Sequence, residues 1–277
     1  MKPESLREGA IEVDFDRGLA TLEELADRFK RLVGGIDRPD APTRGLDWTL
    51  AELAVHVLQV FRHDLGCVRG DTEPYPVLDN DFIKSAAAYA DKTLRNEPER
   101  DTGKVALLLG QTVGELLAEA GSRSPSQPVA FAQGEAMTFA NILGSLIGEL
   151  LVHGYDIGRT TGAKWTIDPE AARLAVYATT ATLPLAINKE ATADLDARLE
   201  VRIRGGQRFI IHLDHGTATT HLPNGKADLY ISADPVAYLL TGFGRTGPWA
   251  QVARGRLLAW GPRPSLVLKL PTFFRNP

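Results

Sequence analysis

Glu149 and His153 are the two residues of this sequence whose types and spacing most directly suggest chemistry. They lie four positions apart in the apolar stretch of residues 139–157, which predicts a helix. On a helix, side chains at positions i and i+4 share one face at a separation of about 6 Å, which suits two ligands of one metal ion. His56, in a second amphipathic segment, is a candidate third ligand. Two histidines and a glutamate with an open coordination position are typical of a catalytic zinc rather than a structural one.

The third ligand is not fixed by spacing, because His56 has a competitor. His63 lies on the same helix face, but two turns separate the pair by about 10.5 Å, so only one of them can reach the ion. Glu52 and His56 repeat the four-residue spacing, yet Glu52 is explained as the third helical residue of a capping box that begins at Thr49. Glu149 has no such explanation, since an ionised carboxylate among apolar neighbours is costly unless it is paired or metal-bound.

The remaining histidines and the single cysteine have simpler interpretations. His212, His215 and His221 fall on predicted strands and their turn, where surface roles are expected. Cys67 is the only cysteine, which excludes an intrachain disulfide and a thiolate-rich zinc site. We expect it to be a small buried hydrophobic residue.

The elements that must position these residues are helices in the first part of the chain. Apolar residues recur there at helical spacing, and a Ser- and Pro-rich loop at residues 121–128 precedes the segment that carries Glu149. The predicted helices cover residues 15–32, 50–68, 79–96, 99–120, 139–157 and 169–184. Four or more antiparallel helices form a bundle, and bundle cores commonly hold metal sites built from facing helices.

After residue 190 the pattern becomes short and alternating, which indicates strands. Gly205 and Gly206 mark a hairpin turn between the first two of them. The predicted strands cover residues 199–204, 209–213, 217–222, 227–232 and 256–260, with a short helix at 235–240. The sequence therefore predicts a two-domain α+β protein whose second domain has a mainly antiparallel sheet.

Composition excludes several classes of function. The chain has 277 residues and a formal net charge of −4, with an estimated pI of 5.9, and this balance argues against a nucleic-acid binder. No run of about 18 apolar residues is present, so we expect no membrane partner. The first residues, MKPESLREGAIEVDFDRG, lack the apolar core of a signal peptide. These features predict a cytoplasmic protein, either a monomer or a homodimer.

Two sequence runs resemble the mycothiol-dependent maleylpyruvate isomerase family. They are LDWTLAELAVH at residues 46–56 and GELLVHGYDIGRTTG at residues 148–162. The resemblance covers the whole chain. It implies a DinB-like metal-binding four-helix bundle in residues 1–165 and a small α+β domain, related to sterol carriers, in residues 166–277. It also implies that a divalent metal, with zinc expected, is held by His56, Glu149 and His153, which selects His56 over His63.

The same resemblance suggests a catalytic arginine in the second domain. The segment YLLTGFGR at residues 238–245 is similar to the family's Leu-Leu…Gly-Arg stretch, so Arg245 is the candidate for holding a substrate carboxylate, a task suited to a guanidinium. Arg256 and Arg263 are alternatives. Asp156 recurs in the family motif and is expected to orient a ligand, as carboxylates near metal sites commonly do.

The implied chemistry uses an external thiol, because no cysteine lies in the metal motif. Mycothiol or a similar small thiol would bind the metal as a thiolate, add to an activated double bond of an electrophilic substrate, and either leave after cis–trans rotation or remain in an S-transfer product. The alternative is a metal-stabilised, non-catalytic binding protein for a hydrophobic small ligand, with the apolar residues 266–274 lining its tunnel.

Overall fold

The structure is a computed structural model that describes residues 5–6, 9–77, 81–132 and 134–275. Its first part contains five helices and three short strands. In chain order they are β1 (Ser5–Leu6), α1 (Phe15–Gly34), α2 (Leu50–Arg69), α3 (Phe82–Asn96), α4 (Thr102–Ala120), β2 (Pro128–Ala132), β3 (Glu135–Thr138) and α5 (Phe139–Thr161). The predicted start of the third helix, Asp79, lies outside the described residues.

The helices begin where side chains can accept hydrogen bonds from the free N–H groups of the first turn. Thr49 caps α2 in the predicted capping box, in which its hydroxyl accepts from the Glu52 amide at 3.2 Å and its own amide donates to the Glu52 carboxylate at 2.8 Å. Asp101 caps α4 without a capping box, because its carboxylate accepts hydrogen bonds from the Gly103 and Lys104 amides. Glu52 is therefore occupied at a helix start, as the sequence indicated.

Helices α1, α2, α4 and α5 pack together as a four-helix bundle, and α3 flanks α2. Large side chains from these helices fill its centre and are fully buried; they include Phe29, Phe61, Phe139, Leu53, Leu58, Leu109, Leu116 and Ile142. This apolar core fixes the relative positions of α2 and α5, which carry the candidate metal ligands.

The sequence pattern predicts no strand before residue 190, and this prediction is wrong. Strands β1, β3 and β2 form a small sheet in that order, with β2 and β3 antiparallel and β1 parallel to β3. The strands were missed because each is five residues or shorter and β2 begins at a proline next to a loop, so no alternating pattern develops.

The second part of the chain starts with helix α6 (Pro169–Thr182), which a 3₁₀ turn at Leu183–Ala186 follows. The strands are β4 (Asp196–Ile203), β5 (Arg208–Asp214), β6 (Thr217–His221), β7 (Leu229–Ala233) and β8 (Leu257–Trp260), and the short helices are α7 (Pro235–Gly242), α8 (Pro248–Ala253) and α9 (Leu266–Lys269). The sheet order is β6-β5-β4-β7-β8, and every pair is antiparallel except β4 with β7. The predicted α+β fold with a mainly antiparallel sheet is thus confirmed.

Helix α6 lies between the bundle and the sheet. It packs along α5, and it also contacts α7. Its Tyr177 hydroxyl accepts a hydrogen bond from the Gln207 amide at 2.7 Å, and Thr220 on β6 donates to the Thr180 carbonyl at 2.7 Å. Because α6 contacts both parts, the domain boundary predicted at residues 165/166 stays a prediction.

Residues 266–274, predicted to line a tunnel in the binding-protein alternative, form α9 and a 3₁₀ turn. Leu266 and Phe273 are buried in the core, while Leu268 is 73% exposed. Neither of two surface cavities, of about 280 and 560 Å³, is lined by this segment. In the part of the chain that the structure describes, no helix has both the length and the apolar character to cross a membrane.

Gly144 allows α5 and α6 to approach closely, and replacing it should destabilise the protein. A Cβ at this position would lie 2.8 Å from the Ala178 Cβ and 2.9 Å from the Leu174 carbonyl oxygen. We expect Gly144→Ala to lower the free energy of unfolding by about 1–3 kcal/mol, because overpacking outweighs the better helix propensity of alanine. Urea unfolding measures this change.

Gly114 on α4 provides the matched control, because a Cβ there would meet no atom within 4 Å. Gly114→Ala should raise the unfolding free energy by up to about 1 kcal/mol. Equal stabilisation by both substitutions would contradict the close packing of α5 on α6.

Candidate metal centre

Three side chains from two helices converge inside the bundle. His56 Nε2 on α2 lies 3.7 Å from Glu149 Oε2 on α5, and His153 Nε2 lies 3.2 Å from the same oxygen. The two imidazole rings are 5.2 Å apart between centroids and nearly perpendicular. One potential ligand atom from each residue lies within 4.8 Å of the others. A single ion can reach all three side chains.

Glu149 shows that this cluster fits a cation. Its Oε2 atom is buried and has no hydrogen bond of acceptable geometry, although His153 Nε2 is close. Burying a carboxylate oxygen is costly when its hydrogen bonds are poorly formed, and a divalent metal between Glu149 and the two histidines would offset this cost. The His, Glu, His donor set also suits such an ion. The side chains of His56 and Glu149 keep 15% and 18% exposure, so a small molecule can approach this side of the cluster.

Asp156 lies against the imidazole ring of His153. Its Oδ2 lies 3.3 Å from His153 Nδ1, in a position to accept the ring N–H, and the Asp156 side chain is fully buried. A proton held on Nδ1 leaves the lone pair on Nε2 free for a metal, which is the usual arrangement of metal-binding histidines. The predicted orienting role of Asp156 has this contact as its support.

Arg245 reaches the same carboxylate from the second domain. Its Nε lies 3.2 and 3.1 Å from the two carboxylate oxygens of Asp156, and its Nη2 lies 2.9 Å from Oδ2. The structure therefore places Arg245 near the candidate metal ligands, with one edge of its guanidinium on Asp156. The alternatives lie elsewhere: Arg256 is exposed, and Arg263 donates to the Asp196 carbonyl on the sheet.

His63 lies in a separate buried cluster, two turns further along α2 from His56. Its ring stacks on Tyr75 with centroids 3.8 Å apart, Nδ1 lies 3.3 Å from Asp64, and Nε2 lies 3.1 Å from the Glu73 carbonyl. Cys67 is buried next to it, as expected. His63 is not among the residues that the structure brings to Glu149 and His153.

Trp48 is a contact of the site that the sequence analysis did not assign to it. Its ring lies 4.7 Å from the His56 ring between centroids, tilted by 40°. In the sequence, Trp48 lies directly before the Thr49 capping box, where an apolar residue can pack as a hydrophobic staple. Its position just before α2 was the one signal available in the sequence. A large side chain at the start of a helix can reach residues of the first two helical turns, and His56 is one of these.

The charges of the cluster depend on burial and on its neighbours. Burial lowers the pKa of His56 to about 4, and the positive charge of His153 contributes, so His56 is neutral near pH 7. Burial opposes protonation of His153, but Asp156 and Glu149 outweigh it and raise the His153 pKa above 6.5. Burial likewise opposes ionisation of Glu149, and His153, His56 and Arg245 together lower its pKa.

Metal uptake should therefore release a proton, and its affinity should fall at low pH. His153 in the metal-free protein carries a proton below its raised pKa, and a metal ligand must be deprotonated. We expect the apparent affinity to drop about tenfold per pH unit below that pKa, and more steeply below about pH 4, where His56 also protonates. Zinc titrations from pH 5 to 8 measure the slope. A pH-independent affinity in this range would contradict the prediction.

Comparison with known proteins agrees with this architecture of a helical bundle followed by an α+β domain. Residues 22–158 match the profile of the mycothiol maleylpyruvate isomerase N-terminal domain. The crystal structure of a mycothiol-dependent maleylpyruvate isomerase is similar, with a TM-score of 0.50 and 14% identity over 85% of this chain and 91% of that one. A histidine-to-alanine mutant of such an isomerase gives a TM-score of 0.51 and 13% identity over 89% and 93%. No curated protein sequence gives a significant match.

At these identities the structural likeness shows the fold alone. The profile match confirms the family predicted from the sequence: the chain belongs to the mycothiol-dependent maleylpyruvate isomerase family, and residues 22–158 carry its N-terminal domain.

Proposed function

We propose that this protein is a metal-dependent enzyme that uses a small external thiol of the mycothiol type on an electrophilic substrate with an activated double bond. The observation that carries the proposal is the convergence of His56, Glu149 and His153 on one point, with Glu149 Oε2 buried between the two imidazoles and without a well-aligned hydrogen bond. Three protein ligands leave a coordination position open, which is typical of catalytic rather than structural zinc. Membership of the isomerase family supports the same reading.

Each residue of the cluster has a defined task in this proposal. Neutral His56 and anionic Glu149 provide one ligand each, and Asp156 presents the Nε2 lone pair of His153. Zinc held there would act as a Lewis acid at which a thiol loses its proton near neutral pH. Trp48 covers one face of His56 and narrows the approach to it.

The thiolate then acts on the substrate. Its sulfur adds to one carbon of the double bond while the π electrons move to the conjugated carbonyl, and the former double bond becomes free to rotate. Return of these electrons expels the thiolate and gives the trans isomer. Protonation of the neighbouring carbon instead keeps the new carbon–sulfur bond and gives an S-transfer product. The site is compatible with either outcome.

Arg245 is our candidate for contacting a carboxylate of such a substrate. A guanidinium has five N–H groups, and the contacts with Asp156 and with the Phe243 carbonyl use three of them. Two N–H groups are left, and the side chain is 10% exposed. These two N–H groups can donate hydrogen bonds to an anionic ligand while the hydrogen bonds of Arg245 to Asp156 stay intact.

The experiment is to follow maleylpyruvate by NMR with the zinc-loaded protein, with and without mycothiol. Thiol-dependent conversion to the trans isomer at constant thiol concentration supports an isomerase, and accumulation of a thioether supports an S-transferase. No conversion of maleylpyruvate, and no thioether formation with simple Michael acceptors, would contradict thiol-dependent catalysis and favour the non-catalytic binding protein.

A further inference from the structure

Arg245 joins the second domain to the ligand cluster through one buried carboxylate. The residue lies 89 positions after Asp156, in the segment that follows α7, and its bidentate contact with Asp156 is the most extensive polar contact of either side chain. Asp156 is 0% exposed and Arg245 is 10% exposed. A pair this deeply buried is strongly directional, because neither group can turn to water instead.

The geometry continues from Asp156 to the metal ligand. Asp156 Oδ2 receives Arg245 Nη2 at 2.9 Å and lies 3.3 Å from His153 Nδ1. One oxygen thus contacts both the arginine and the imidazole. Any change in the position of this oxygen changes the direction in which His153 presents Nε2 to the ion.

Arg245 is itself held by the second domain. Its amide donates to the Leu240 carbonyl at 2.8 Å at the end of α7, and its Nη1 donates to the Phe243 carbonyl at 2.6 Å. Helix α7 in turn packs on α6 and touches α5. The guanidinium therefore takes its position from the fold of this domain and not from a bound substrate.

We propose that Arg245 is a positioning residue for the metal site, which acts on His153 through Asp156. This role rests on the metal site of the proposed function and is additional to any contact with a substrate. The two roles predict different losses. Loss of a substrate contact raises KM and leaves metal binding unchanged, whereas loss of positioning weakens metal binding when no substrate is present.

The test compares Arg245→Lys, Asp156→Asn and the double variant with wild type. Lysine keeps the positive charge but cannot form the two parallel hydrogen bonds of a guanidinium. Metal-free protein is titrated with Co²⁺ and with Zn²⁺ in competition with a chelator. We expect each single variant to bind 10–100-fold more weakly, with an altered visible cobalt spectrum, as for other partners of metal-binding histidines. The double variant should bind no more weakly than about the worse single variant, because the two residues act in series.

Arg256→Lys is the matched control, because Arg256 is exposed in the same domain. Its affinity should stay within about twofold of wild type. Circular dichroism and thermal unfolding of each metal-free variant establish that it is folded. Wild-type metal affinity and cobalt spectrum in Arg245→Lys, with a change in KM alone, would overturn the proposal.

A second readout does not need the metal. In metal-free wild type, the Nδ1–H of His153 should give a downfield, slowly exchanging NMR signal because Asp156 accepts it. We expect this signal to broaden or move in Arg245→Lys and to stay unchanged in Arg256→Lys. If the wild type bound no metal, the proposed function would fail, and this signal would still decide the positioning role: an unchanged signal in Arg245→Lys rejects it.

Discussion

His153→Ala should remove most of the bound metal from a protein that otherwise holds close to one equivalent. His153 is one of the three candidate ligands, and it is the one whose ring contacts a buried carboxylate, that of Asp156. A site with two remaining ligands loses both a bond and the preorganisation of its geometry. We expect the affinity for zinc to fall by at least about 100-fold, which corresponds to about 2.7 kcal/mol or more. Elemental analysis after dialysis against a weak chelator measures the loss.

His221→Ala serves as the control for this experiment. His221 is a partly exposed residue on the edge strand β6, away from the cluster. Its replacement removes a histidine without touching α2 or α5, so the metal content should stay near that of the wild type. Comparable metal loss in both variants would point to adventitious surface binding. Little metal in the wild type after zinc had been offered would reject the site itself.

Much of the helical part could be predicted because its signals are local. Capping residues such as Thr49 mark helix starts, and apolar spacing marks helix faces, so α2 begins at the predicted residue. Two of the candidate ligands could be predicted for the same reason. Glu149 and His153 share a helix, and a carboxylate in a nearly apolar segment already requires a partner. The family resemblance selected His56 over His63, a choice that helical spacing alone left open.

The features that could not be predicted depend on contacts between distant parts of the chain. The Arg245–Asp156 bond joins residues 89 positions apart, and no periodicity reports on such a pair. The parallel pairing of β4 with β7 is also non-local, because the chain passes through β5 and β6 between them. Trp48 lies just before the start of α2, and its contact with the His56 ring becomes visible only when the loop and the helix are seen together in the structure.

The two glutamates that precede a histidine by four residues should differ sharply in function. Glu149→Gln keeps the shape of the side chain but removes the negative charge that would balance a dication, and it leaves a neutral amide between His56 and His153. We expect thiol-dependent turnover to fall by at least about 1,000-fold, a loss of about 4 kcal/mol or more in transition-state stabilisation. The cobalt-substituted variant should also lose the change in visible spectrum that a thiol produces in the wild type.

Glu52→Gln is the matched comparison, because it makes the same chemical change at the same spacing from a histidine. Glu52 accepts from the Thr49 amide and hydroxyl, so its pKa is lowered by those hydrogen bonds and its charge favours the start of α2. Glutamine can replace part of this capping. We therefore expect a stability loss of about 1 kcal/mol or less, with metal content and the cobalt–thiol spectrum unchanged. Equal catalytic losses in the two variants would mean that Glu149 acts through the fold rather than at the ion. Glu52 caps the start of α2 and is not one of the candidate ligands, so it can affect catalysis only through the fold.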